Sequence, residues 1–178
     1  MGDEVNPEEL LNYLNYLQTL KDIRLLILIL HLYIEHFVNE LAKEKRIKER
    51  SMIDKAIKLK ENAIIDEEHF KIIDILYDLR NHLVHNLKID IKLLERWIMD
   101  IKVKIEIYDP IVQKVLDKTN AWSRIQLYAV PIIFNLFLKL KELKKEEVTY
   151  KMDIQLEEND DFSFRLFKKE DLEEKTTK

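Results

Sequence analysis

Through most of this chain apolar residues recur every three or four positions, a spacing that predicts helices. Pro7 to Leu20 reads as the first, with Asn6 as its cap and Pro7 in its first turn. A second runs from Asp22 to Arg46, apolar almost all round at first and then amphipathic through Ile34, Phe37, Val38 and Leu41. A shorter helix follows Ser51, with Asp54 three residues on, Ile53, Ile57 and Leu59 as its apolar positions, and an end near Asn62. Asp66 caps the next, whose acidic start Glu67-Glu68 suits the positive end of the helix dipole; it extends to Asn86 or Leu87. Asp90 starts a helix reaching Tyr108, where Asp109-Pro110 kinks or restarts it. Asn120 caps a last long helix to Lys145, bent at Pro131.

After Glu147 the period changes to two. Tyr150, Met152, Ile154 and Leu156 alternate with polar residues, as do Phe162, Phe164 and Leu166, with Glu158-Asn159-Asp160-Asp161 between the runs. This predicts a β-hairpin, followed by a disordered charged tail after Lys169. The expected organisation is a helical domain over residues 1–146 and a hairpin with its tail over 147–178. One Gly and three Pro in 178 residues leave few turns for a β-rich fold, and 47% apolar residues supply a core. The fold class is therefore all-α: a helical bundle with a small C-terminal hairpin.

Charge and composition narrow the setting. A net charge of −4 gives no global attraction to nucleic acid, so any such contact needs a local basic patch. With no cysteine there are no disulfides and no thiolate metal sites, and a reducing cytoplasm is the expected location. The longest apolar run, Leu25 to Leu30, is too short to span a bilayer, and the acidic start Met1-Gly2-Asp3-Glu4 lacks the basic residues of a signal peptide. No membrane association is expected.

The helix after Asp66 carries the chemistry. At about 100° per residue, Ile72, Leu76, Leu79, Leu83 and Leu87 form one apolar stripe for the core. Phe70, Ile73, Tyr77 and Val84 form a second, which must meet either another helix of the same chain or the same stripe of a second copy. Arg80 borders this second stripe on one side, and Asn81 and His85 border it on the other. Arginine presents a permanent forked charge to phosphate oxygens, and histidine transfers protons near neutral pH. Arg80 and His85 diverge by roughly 140° on one helix, so a site that uses both on one phosphate is expected across a two-fold axis.

The stretch Arg80-Asn81-His82-Leu83-Val84-His85 resembles the signature of the HEPN superfamily: an arginine, a polar residue, three variable residues and a histidine. The likeness extends to Leu30 through Leu41, similar to the family's long second helix with a glutamate at the position of Glu35, and to Ala56 through Leu79. It covers residues 8–118 and leaves out the hairpin. The resemblance implies a metal-independent endoribonuclease that dimerises through the motif helices, as a toxin paired with an antitoxin protein or as a defence effector. It equally accommodates a module without catalysis that binds a nucleotide, RNA or a protein. In the catalytic case Arg80 stabilises the transition state, His85 is acid or base, and Asn81 orients His85 or holds a phosphate oxygen; Glu35 and His82 support them. No cofactor and no metal is implied. One toxin subclass is silenced by modification of a tyrosine two residues after the motif histidine. Leu87 stands there, which argues against that control.

Other readings remain open on the residues alone. Arg80 can simply pair with an acidic residue of a neighbouring helix, and His85 can help end its own helix. Asp78, His82 and His85 have a spacing that can present three metal ligands on one face. Glu35, beside His31 and His36, needs a partner if buried, and buttressing Arg80 is the expected role. Trp97, Trp122, Tyr128, Phe134 and Phe137 have core spacing, and the run Lys139 to Lys145 reads as a solvated face.

Overall fold

The computed structural model describes residues 6–86, 90–101, 119–147, 149–156 and 162–168. Its helices are α1 (Pro7–Tyr16), α2 (Ile23–Glu44), α3 (Met52–Glu61), α4 (Glu67–His85), α5 (Ile91–Met99) and α6 (Ala121–Leu143), and strands β1 (Tyr150–Leu156) and β2 (Phe162–Lys168) follow. Each helix starts where a short polar side chain accepts a backbone N–H: Asn6 from Glu8, Asp22 from Arg24, Ser51 from Asp54, Asp66 from His69, Asp90 from Lys92 and Asn120 from Ser123. Asp22 also pairs with the Arg24 guanidinium at 2.8 Å, which holds its carboxyl down at about 2. The expected span Pro7–Leu20 tightens into a 3₁₀ turn at Leu17–Thr19. The reach of the α5 segment to Tyr108, the Asp109-Pro110 break, Leu87, the loop Glu158–Asp161 and the tail after Lys169 lie outside the described residues.

Helix ends are less conventional. With its one glycine at Gly2, the chain places Arg46, Ala63 and Lys145 in the left-handed region, at φ 57°, 54° and 61°. Each makes the paired bonds that close a helix: Ile47 N–H to the Ala42 carbonyl, Ile64 N–H to Leu59, and Glu146 N–H to Lys141, at 2.8, 2.9 and 3.0 Å. The next residue is then turned back toward the core; Ile47 and Ile64 both pack against it.

The core is built around α2 and α6. Both are long and apolar enough to cross a membrane by length and composition, although the unbroken apolar run within α2 is short. Their facing sides are buried, with the Phe37 and Phe137 rings edge to face at 5.9 Å and Phe134 5.9 Å from Phe137. Pro131 lies inside α6 without ending it. On α3 the buried residues are Met52, Ala56 and Leu59, whereas Ile53 and Ile57 sit half-buried beside them. Strands β1 and β2 pair antiparallel, with Ile154 opposite Phe164, and the alternation read from the sequence puts Phe162 and Phe164 in the core. Asn15 of α1 brackets β2: its amide donates to the Phe164 carbonyl at 3.0 Å and accepts from the Phe164 N–H at 3.3 Å.

Candidate functional site

On α4 the predicted core stripe is in place, since Ile72, Leu76, Leu79 and Leu83 are buried. The second stripe divides. Ile73 is completely buried in its own chain, and Phe70 and Tyr77 are half-buried against the core, Phe70 beneath the Lys60 ammonium at 4.2 Å. Val84 is left 44% exposed. Ile73 therefore cannot anchor a contact with a second copy as its place on the wheel proposed, because α4 sits deep enough beside α2 to bury both flanks. What remains of that contact is Val84 with the outer edges of Tyr77 and Phe70.

Arg80 is half-buried, and one of its N–H groups donates to the Asn81 side-chain oxygen at 3.1 Å. No carboxylate lies within ion-pair distance of it among the described residues, so the reading of Arg80 as half of an interhelical salt bridge finds no partner there. The buttress expected from Glu35 is absent as well. The Glu35 carboxylate lies 3.9 Å from the Nδ1 of His31, one helical turn earlier on the same helix. Arg80 thus keeps most of its five donors unused among the described residues.

His85 closes α4 and is exposed, with no hydrogen bond to Asn81 or Arg80 among the described residues. The helix end is capped by Asn86, whose backbone N–H and side-chain amide reach the His82 carbonyl at 3.1 and 3.0 Å. His85 stands in the last turn of α4, where its charged form suits the helix dipole. Asp78 lies about half a turn before Arg80, and Asp74 less than two turns before it. Burial, with Asp78 adding to it, pushes the Asp74 carboxyl up. Asp78, His82 and His85 do not converge: no three such side chains approach closely enough to share a metal among the described residues. His82 instead meets Trp97 of α5, with ring centres 5.0 Å apart. Trp97 is itself 36% exposed, not the core residue its spacing implies. The Lys139–Lys145 run is an ion-paired face in which Lys139 holds Glu142 and Lys141 holds Glu146.

His31, one turn before Glu35 on α2, is a buried polar residue beside the motif helix. It is 3% exposed, its ring centre is 6.2 Å from that of Tyr77, and its Nε2 has no hydrogen-bond partner among the described residues. Burial pushes its pKa below the ordinary 6.5; the Glu35 carboxylate opposes this and the Arg80 charge adds to it. The unfolded chain therefore takes up a proton before the folded chain does. Stability from this group is complete above pH 6.5 and is lost as pH falls from there toward the lowered folded value. Denaturant titrations at about pH 7.5 and about pH 5 should show the unmutated protein losing stability at the lower pH. In His31→Gln the decrease should be smaller, and an equal decrease would remove His31 as its source.

A separate open cleft of about 460 Å³ lies between α1 and β2, lined by Asn12, Asn15, Ser163 and Arg165 among others, and includes none of the motif residues. No family model, curated protein or solved structure matches this chain, so its function is read from the site itself.

Proposed function

We propose that Arg80, Asn81 and His85 form an RNA phosphodiester site of the HEPN kind, and that the chain is a metal-independent endoribonuclease. The observation that carries this reading is Arg80, a half-buried guanidinium with no acidic partner among the described residues. Holding such a charge away from water without a counter-ion is unfavourable, and a phosphate relieves it with two parallel N–H···O bonds. In the reaction, the RNA 2′-oxygen attacks the adjacent phosphorus while its proton passes to a histidine base. The bond to the 5′-oxygen breaks, and that oxygen takes a proton from a histidine acid. The products are a 2′,3′-cyclic phosphate and a 5′-hydroxyl. Arg80 neutralises charge that grows on the phosphoryl oxygens, and the Asn81 NH₂ donates to one of them.

Two histidines are needed for that exchange, and two copies of the chain meeting across the Val84 side of α4 supply them, together with the Arg–His convergence that one helix does not give. A toxin or defence role in the cytoplasm, with a protein antitoxin covering the site, fits such an activity. The exposed His85, without a hydrogen bond among the described residues, equally suits the second reading, a module that binds RNA, a nucleotide or a protein partner without cleaving.

Incubation with RNA in EDTA decides between them. Cleavage should leave 5′-hydroxyl ends, spare the 2′-deoxy analogue and disappear in His85→Ala. A mixture of Arg80→Ala and His85→Ala chains should regain part of the activity if opposite chains supply the essential groups. Retention of RNA without cleavage would support the binding module instead, and cleavage surviving in His85→Ala would sink the assignment.

A further inference from the structure

Trp97 belongs to a helix that does not need it for attachment. Leu94 and Ile98 anchor α5 in the core, whereas more than a third of the Trp97 surface is open to solvent. Its indole is held at 5.0 Å and 49° against the imidazole of His82, itself exposed on α4. The contact fixes a large aromatic surface on the flank of the helix that carries the phosphodiester site.

The order of groups across α4 gives that surface a role. On an ideal helix Asn81 lies about 100° from Arg80, His85 about 40° beyond it, and His82 about 60° beyond that. His82 thus lies on nearly the opposite side of α4 from the Arg80 of its own chain but beside His85, so a site shared by two copies runs from Arg80 of the second copy, through His85, to this aromatic pair. Single-stranded RNA presents the matching sequence within one nucleotide: phosphate, then ribose, then base. Sequence-tolerant RNA proteins bind bases by stacking them on exposed aromatic rings beside a charged track. We propose that Trp97, backed by His82, is the stacking platform for the nucleobase next to the phosphate held between His85 of its own chain and Arg80 of a second copy. Recognition at this position is then of an unpaired base, and a base within a duplex, already stacked, is refused.

The inference rests on the phosphodiester reading of Arg80, and the test separates the two. The probes are a 2′-O-methyl oligoribonucleotide, which cannot be cleaved, and a ribose-phosphate oligomer of equal length without bases. Trp97→Leu should weaken binding of the first by about five- to a hundredfold and leave the second unchanged, while Trp97→Phe keeps most of the affinity. In a Trp122→Phe background, the remaining Trp97 fluorescence should change on addition of the base-bearing oligomer. Equal binding of the base-bearing oligomer by Trp97→Leu and the unmutated protein, with affinity lost in Arg80→Gln, would overturn the platform and leave the phosphate site standing. A loss in Trp97→Leu that is the same for both oligomers would mean disturbed packing and would also overturn it. Failure of the unmutated protein to bind either oligomer would remove the phosphodiester reading and the platform with it.

Discussion

Arg80→Ala should lower RNA cleavage by at least about a hundredfold, because it removes the cation proposed to meet the growing phosphoryl charge. The effect is expected to fall mainly on kcat. A guanidinium that binds ground and transition states equally would change KM alone, whereas charge neutralised in the pentavalent state appears in the rate. Arg80→Lys separates charge from geometry. It keeps the cation but loses the planar fork, so a small part of the activity should return. The fold should tolerate both variants, since Arg80 contributes no ion pair among the described residues and its bond to Asn81 joins adjacent residues. Melting within a few degrees of the unmutated protein checks this. A collapse in stability would mean that Arg80 is a structural residue and would count against the site.

Phe137→Ala should be the most damaging single change to the fold, at about 3–5 kcal/mol. Phe137 is fully buried on α6, touches Phe37 on α2 edge to face, lies beside Phe134 on its own helix, and carries the Lys141 ammonium 5.7 Å from its ring. Its removal opens a cavity between the two helices that hold the bundle together, and their side chains cannot close it without moving both backbones. For a domain of this size the loss corresponds to a drop in Tm of roughly 6–20 °C, which calorimetry reads directly. A drop of only a degree or two would show that the α2–α6 seam repacks freely.

The two predictions draw on different kinds of information. Helix starts were legible in the sequence because a cap is local: Asn6, Asp22, Ser51, Asp66, Asp90 and Asn120 each satisfy an N–H two or three residues away. The hairpin was legible for the same reason, since alternation alone assigns Phe162 and Phe164 to one face. Helix ends were harder to read, because Arg46, Ala63 and Lys145 take the left-handed position where glycine is the usual signal.

The candidate site followed the same division. The sequence by itself determined that Arg80, Asn81 and His85 share the last turns of one helix, and that Arg80 and His85 point apart. It could not determine what each side chain meets, since ion pairs and burial depend on residues distant in the chain. Only the tertiary structure decided that no acid of another helix reaches Arg80 among the described residues. It also decided that Ile73 is spent on the chain's own core, and that Trp97 stands against His82 in solvent. Periodicity reports which face of a helix is apolar; the depth at which neighbouring helices pack decides how much of that face is left for anything else.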